Sequence, residues 1–282
     1  VDVCAAPDGS LFVADWYDPG VGGHAMGDTQ HGRIFRITPE GHRGYKVPAV
    51  ELKSPEGAVA ALLNPNLATR FLAQQALQQM GSKAVDALRQ VVEHGANDAQ
   101  RARALWQLAV VSGQPAEQVR WALQQSNPQL RIVGVRLARE QGMDLLPIVE
   151  QLKRDPASSV RRELAIALRH NQAPRAAQLW AELAEQHDGH DRWYIEALGI
   201  GADQQWDACF AAWLQRVGEE WNTPGGRDIV WRCRAPQACH YLAQIIASTP
   251  NEAEQLRYFR AFDFHSGAAK LAALEELVAA AE

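Results

Sequence analysis

The sequence predicts a mostly α-helical protein: antiparallel helix pairs stacked in a right-handed array from about residue 55 to the end, preceded by a small β segment. Three observations lead to this fold class. Residues 1–50 are glycine-rich with short apolar runs, residues 55–282 carry apolar residues at helical spacing, and one phrase of sequence recurs there about every 30 residues. The predicted domains are residues 1–50 and residues 51–282.

Three short strands are predicted before residue 50, at Val1–Ala6, Leu11–Ala14 and Arg33–Thr38, with glycine-containing turns after the first and the third. A sheet of this size is marginal in water and leaves open edges. It must therefore dock on the helical part or belong to a larger sheet upstream. The strand and turn order looks like most of one β-propeller blade, which has four strands. Residues 45–54 are predicted to be an extended linker.

The recurring phrase consists of an Asn or Asp turn, an arginine in the first helical turn, and a face of Ala and Leu. Successive arginines of the phrase are 31, 30, 30 and 31 residues apart: Arg70, Arg101, Arg131, Arg161 and Arg192. Each period holds two helices, and no single pair can bury its apolar face, so stacking must supply the core. This pattern is typical of a HEAT-like α-α solenoid.

Helix boundaries follow from the turns. Asn64, Asn97, Asn127, Asp155 and Asp188 are predicted to lie in the turns that cap the first helix of each period. The second helices of the periods and the helices of the less regular last third are predicted at Lys83–Glu93, Ala116–Gln125, Asp144–Lys153, Arg175–Gln186, Trp206–Glu219, Asp228–Ser248, Glu252–Phe262 and Gly267–Glu282, with a break at Glu220–Arg227.

Charge and composition exclude several classes of function. A net charge of −5 and a pI near 6.0 argue against nucleic acid as a partner, since such sites usually need a basic stripe. No apolar run reaches the roughly 20 residues that a membrane span needs. The chain begins at Val1 without a signal peptide, so we expect a processed chain or an excised fragment. The four cysteines include no Cys-x-x-Cys pair, and Cys233 and Cys239 could pair or stay buried thiols.

The glycine-rich loop after the second strand is the first candidate site. It gathers carboxylates, imidazoles and aromatic rings, namely Asp15, Trp16, Tyr17, Asp18, His24, Asp28 and His31. Propeller active sites collect such loops at one mouth of the channel, where they could bind a quinone cofactor, a metal or a sugar. The favoured alternative is a hydrogen-bonded loop that buries Trp16 and caps the first helices.

The arginines and tryptophans of the helical part have both functional and structural interpretations. The repeat arginines could line an anion-binding groove, but their regular spacing favours pairing with turns of adjacent repeats. The tryptophans could form a partner or sugar surface, but most are expected to fill helix seams, with Trp221 and Trp231 the most exposed. The spacing of Cys239, His240 and His265 matches no standard zinc pattern, so no metal site is predicted.

Five stretches carry a resemblance to a known family: Ala6–Asp18, Gly22–His24, Gly32–Ile37, Asp228–Arg232 and Arg257–Phe264. Together they resemble large secreted proteins of planctomycetes and related bacteria, described as membrane-bound dehydrogenases or haem-binding proteins. In that family a glucose/sorbosone-dehydrogenase-like propeller precedes a HEAT-like region and a c-type cytochrome module. The resemblance implies that this chain is the last part of the propeller plus the solenoid, in a periplasmic or extracellular protein.

For function, the resemblance implies c-type haem, and quinone or calcium, in the parent protein, with no cofactor on this chain. We therefore expect a non-catalytic scaffold that links propeller and cytochrome modules of the same or a partner chain, without nucleic acid or a membrane span. One alternative is a fragment of a quinone- or metal-dependent sugar or alcohol dehydrogenase, with residues 15–31 contributing to its active site. Another is carbohydrate or peptide binding in a concave groove, which predicts contiguous exposed aromatic side chains.

Overall fold

The computed structural model is mostly helical, with a small three-stranded antiparallel sheet near the amino terminus. It describes residues 2–6, 9–15, 30–43 and 49–281. The prediction of a mostly α protein that begins with a small β segment is confirmed. The chain forms two compact units, Val1–Gln118 and Val119–Glu282. Among the described residues, no helix has the length and apolar character needed to cross a membrane.

The sheet of the first unit consists of β1 (Asp2–Ala5), β2 (Leu11–Asp15) and β3 (Arg33–Ile37), in the order β1-β2-β3. All three strands lie where the apolar runs predicted them, within one residue at each end. Adjacent strands run antiparallel, as expected for strands connected directly in sequence.

One face of this sheet is apolar except at one end, where Asp15 pairs with Arg33. Val3 pairs with Val13 and Val13 with Phe35, while Ala5 pairs with Leu11 and Leu11 with Ile37. Because side chains alternate between the two faces of a strand, these residues share one face. We call it the apolar sheet face, and its members are Val3, Ala5, Leu11, Val13, Phe35 and Ile37. Five of them are exposed, and the four large side chains among these range from 41% for Leu11 to 56% for Val3.

The sheet is joined to the helices of the first unit through Asn66. Its side-chain amide donates to the carbonyl of Ala5 at 3.2 Å, and its Oδ1 accepts from the backbone N–H of Thr69 at 2.9 Å. Asn66 therefore caps a helix and holds β1 at the same time. Asn64, the residue predicted to cap this helix, instead accepts from the N–H of Asn66. The predicted cap was therefore wrong by two residues.

The helices of the first unit are α1 (Pro55–Leu62), α2 (Leu67–Met80), α3 (Val85–His94) and α4 (Asp98–Val111). A 3-10 turn, Gly81–Ala84, joins α2 to α3. Ser54 caps α1 and Asn97 caps α4 through side-chain acceptors. The next helix, α5 (Pro115–Leu123), spans the division between the two units.

The second unit continues with α6 (Pro128–Glu140), α7 (Leu146–Leu152), α8 (Ser158–Ala167), α9 (Pro174–Ala184), α10 (Arg192–Gly201), α11 (Trp206–Val217), α12 (Pro224–Arg232), α13 (Ala238–Ser248), α14 (Glu252–Phe259) and α15 (Ala268–Ala281). Helices α6, α8, α10 and α12 contact one another in order, and so do α7, α9 and α11. Alternate helices therefore form two rows within this unit.

Apolar and small residues form the core between these rows. Trp180 is fully buried, and its indole N–H donates to the carbonyl of Leu198 at 2.9 Å, which satisfies its one polar group. Gly201 lies so close to α8 that a Cβ atom would be 2.2 Å from the carbonyl oxygen of Ala165. Small residues thus permit the close approach of α8 and α10.

Several helix boundaries differ from the prediction. Asp228–Ser248 is two helices, because Pro236 lies in the segment between α12 and α13 and lacks the N–H that a helix interior needs. The predicted break at Glu220–Arg227 is shorter, since Thr223 caps α12 and Pro224 occupies its first position. Asp155 and Asp188 do not cap the following helices. Ala157 precedes α8, and Asp191 caps α10.

Candidate functional site

The predicted loop site lies mostly outside the described residues, which exclude Trp16, Tyr17, Asp18, His24 and Asp28. Of its other members, Asp15 ends β2 opposite Arg33, and its side chain is partly exposed. His31 lies just before β3 and is exposed. Among the described residues, only Asp15 and His31, at the two ends of the loop, belong to the predicted site.

Three of the repeat arginines make the same kind of contact. Each is the fourth residue of its helix and donates to backbone carbonyls that precede that helix. The Nε of Arg101 donates to the carbonyl of Val92 at 2.9 Å. Arg131 donates through Nη1 to the carbonyls of Gln125 and Ser126 at 2.7 and 2.8 Å, and Arg161 donates to that of Asp155 at 2.6 Å. Carbonyls at and beyond a helix end lack intrahelical donors, so each arginine satisfies the end of the preceding segment.

Arg70 and Arg192 depart from this series. The buried Nε of Arg70 has no hydrogen-bond acceptor among the described residues, and Arg103 donates to the carbonyl of Leu63 instead. Arg192 is exposed because Asp191 caps α10, which makes Arg192 its first residue rather than its fourth. Arg192 therefore does not occupy the structural position that its sequence spacing suggested.

The described structure brings side chains together along one row of helices in the second unit. Three adjoining clefts lie there, with volumes of about 520, 440 and 480 Å³. The first lies along α6, α8 and α10, the second along α10, α12 and α14, and the third along α12 and α14. Glu196 lines the first two clefts, and Trp231 and Arg257 line the last two. The three clefts together form one surface. We call it the first-helix groove, because α6, α8 and α10 carry arginines of the predicted first helices of the repeat.

Asp228 is the best-connected polar residue of the groove. Its Oδ2 lies 3.0 Å from Nε2 of His187, and its Oδ1 accepts from Nη2 of Arg257 at 2.5 Å. Burial by itself would raise the pKa of Asp228, but the hydrogen bonds from His187 and Arg257 outweigh it and lower the pKa. His187 in turn stacks on Tyr194 at 5.7 Å between ring centroids. Asp228 is thus a fixed carboxylate that positions Arg257.

Two other acids of the groove are paired in the same way. Glu163 accepts from Arg136 at 2.7 and 2.9 Å, and its side chain is only 5% exposed. This hydrogen bond raises the pKa of Arg136. Glu196 lies 3.2 Å from Nε of Arg232. Glu163 and Asp228 therefore lie beneath their guanidinium partners, whereas the Glu196 side chain, at 33% exposure, is more exposed than that of Arg232.

The exposed tryptophan of the helical part is one that sequence reasoning did not select. Trp193 is 70% exposed and lines the first cleft. Trp221 and Trp231, predicted to be the most exposed, are both partly buried: Trp221 packs edge-on to Tyr241, and Arg257 lies 4.9 Å over the Trp231 ring. That prediction was wrong because side chains of α13 and α14 cover the Trp221 and Trp231 rings.

The cysteines and histidines do not gather into a metal site in the described part of the chain, where no cluster of three or more potential ligands occurs. All four cysteines are free thiols, and Cys209, Cys233 and Cys239 are buried. Of the two alternatives for Cys233 and Cys239, the structure has the unpaired one. His265 is buried, and its pKa is lowered by burial and by the nearby Arg234 and Lys270.

Sequence reasoning missed the groove because its members are far apart in the chain. The signal was present in two of the stretches that carried the family resemblance. Asp228 and Trp231 belong to one and Arg257 to the other, and they meet in space. Comparisons of this chain with known protein families, curated proteins and solved structures find no significant match.

Proposed function

We propose that this chain is a non-catalytic interaction domain of a larger secreted redox protein. In this proposal a HEAT-like α-solenoid links a propeller dehydrogenase module to a c-type cytochrome module. The observation that carries the proposal is the apolar sheet face, since exposed contiguous apolar surface marks a site of contact with other protein. Covering it with further β structure, as in a propeller, would remove this surface from water.

The proposal is also supported by the open edges of the sheet. β1 and β3 each have one neighbour, so each leaves a row of backbone groups unpaired within the described sheet. Every described residue of both strands is exposed. A fourth strand at either edge and a neighbouring blade against the apolar sheet face would satisfy these groups and bury these side chains.

Support for the repeat scaffold comes from the recurring contact at the fourth helical residue. Arg101, Arg131 and Arg161 make it, and so does Gln255, which donates to the carbonyls of Ile246 and Thr249 at 3.2 and 2.7 Å. A contact repeated between successive helix pairs is what a stacked array requires, since each pair is stable only against its neighbours.

Two measurements test this function. Absorption spectra and metal analysis of the parent protein and of residues 1–282 alone should place haem in the parent and none on this chain. Stoichiometric haem or quinone on residues 1–282 alone would overturn the proposal. The second measurement is binding of an apolar dye. The chain alone should bind it, Phe35→Thr with Ile37→Thr should bind less, and the intact parent should not expose the face.

A further inference from the structure

We propose that the first-helix groove binds an acidic segment of a partner protein in which carboxylates alternate with bulky apolar side chains. The inference rests on the proposed role as an interaction domain and names the chemistry of what that domain binds. It is carried by the distribution of charge and apolar surface along α6, α8, α10, α12 and α14.

The groove exposes more positive charge than negative charge. Five arginines line it: Arg136, Arg162, Arg192, Arg257 and Arg260. Its three acids, Glu163, Glu196 and Asp228, are each already paired with a cation. A ligand therefore meets more guanidinium groups than carboxylates, and the buried Glu163 and Asp228 hold Arg136 and Arg257 in place.

These arginines keep donors for a ligand. A guanidinium carries five N–H donors. Arg257 gives one N–H to Asp228, and its side chain remains 45% exposed. Arg192 makes no ion pair or hydrogen bond with any residue in the described ranges, and it lines the same cleft. Arginine binds carboxylates with paired, charge-assisted hydrogen bonds, so this cleft suits the carboxylate of an Asp or Glu side chain.

Apolar side chains alternate with the cations along the groove. Trp193 and Ile200 lie in the first cleft, and Leu256 and Phe264 lie in the third. All four are exposed, Phe264 by 63%. A ligand with anionic groups alone would leave these side chains in water, whereas one with Leu, Phe or Trp between its acids would cover them. The groove therefore favours a mixed acidic and apolar segment.

The length of the ligand follows from the helix spacing. Packed helices lie about 8–10 Å apart, so five helices in a row span about 35 Å. An extended peptide rises about 3.3 Å per residue, so about ten to twelve residues cover the groove. Single-stranded nucleic acid also suits arginine and aromatic side chains. It is disfavoured here because the chain is acidic overall, whereas nucleic-acid sites usually need a basic stripe.

Selection from a displayed library of random twelve-residue peptides on the full 282-residue chain tests the inference. We expect enrichment of peptides that contain several Asp or Glu residues with Leu, Phe or Trp between them. Synthetic versions of the best peptides, measured by fluorescence anisotropy, should lose at least tenfold in affinity when their acids become amides. Trp193→Ala and the double variant Arg192→Glu with Arg260→Glu should each weaken binding at least tenfold without changing the melting temperature.

The control is Arg154→Glu, which makes the same kind of substitution at one exposed arginine that lines none of the three clefts. It should leave the affinity within about twofold. Enrichment of neutral or basic peptides, no enrichment at all, or tighter binding of a twelve-nucleotide oligo(dT) would each overturn the inference. These results are independent of where the haem lies and of dye binding to the sheet, so failure of this inference is distinguishable from failure of the proposed function.

Discussion

Arg131 binds Asp155 at two points: Nε lies 2.7 Å from Oδ2, and Nη2 lies 2.8 Å from Oδ1. Both side chains are buried, and Asp155 also accepts from the N–H of Ala157 at 2.9 Å. The pair joins the first turn of α6 to the turn before α8. Arg131 therefore binds both the turn before α8, through Asp155, and the backbone carbonyls that precede its own helix.

Because Arg131 and Asp155 form a buried ion pair, we expect removal of Arg131 to lower the stability of the fold strongly. Arg131→Ala should lower the free energy of unfolding by about 3–5 kcal/mol, because Asp155 would stay buried without a cation. Arg192→Ala, the control from the same sequence series, should change it by less than about 0.5 kcal/mol because Arg192 is exposed. Urea denaturation followed by circular dichroism measures both. Equal losses would contradict the structural difference between the two arginines.

Asp228 predicts a dependence of stability on acid. Its pKa is below the ordinary value of 3.8 in the folded protein, so the ionised form stabilises the fold. This contribution is fully present above the unfolded pKa and is lost as the pH falls through the folded pKa. The difference in unfolding free energy between the native protein and Asp228→Asn should therefore be constant near pH 5 and shrink below about pH 4.

The matched control for this acid titration is Asp263→Asn, which removes an exposed carboxylate on the turn after α14. Its difference from the native protein should stay small between pH 3 and pH 5.5. If Asp228→Asn behaved like this control, the hydrogen bonds from His187 and Arg257 would not stabilise the ionised carboxylate.

Gly225 predicts a steric effect at the start of α12. A Cβ atom there would lie 2.0 Å from the carbonyl oxygen of His187, a backbone atom that cannot rotate away. Gly225→Ala should lower the melting temperature, with a loss of about 1–3 kcal/mol from overpacking, and Gly225→Asn should lower it further. Calorimetry measures the series.

Gly142 is the control glycine, since it has a φ of +65° and open space around its Cβ position. There Asn should be tolerated better than Ala, because Asn adopts the left-handed region more readily. The order of Ala and Asn should thus reverse between the two positions. The same order at both would mean that backbone conformation, rather than contact with His187, determines the cost at Gly225.

The thiols predict one reactive cysteine. Burial raises the pKa of Cys209 and of Cys233 to about 12, and it also raises that of Cys239. Cys4 is exposed. Because the thiolate is the reactive form, a disulfide reagent at pH 8 should modify one thiol per folded chain rapidly and four after denaturation. Cys4→Ser should abolish the rapid phase, and a second rapid thiol would contradict the burial of the other three.

The sequence by itself determined the local structure. Strands follow apolar runs with turn residues between them, and Asn97 and Asn127 cap the helices that follow, because a side-chain oxygen near free N–H groups acts within a few residues. The spacing of Arg101, Arg131 and Arg161 also predicted their pairing with neighbouring turns. These features depend on chemistry within one turn or one repeat, which a single sequence displays.

Only the tertiary structure decided which residues meet and which stay exposed. Arg192 fits the spacing but lies at the wrong position of its helix, because the cap moved from Asp188 to Asp191. Trp193 is exposed while Trp231 is partly covered, since neighbouring helices determine which side of each helix faces water. His187, Asp228 and Arg257 meet across 41 and 29 residues. Such contacts depend on how helices pack, and no local pattern specifies that.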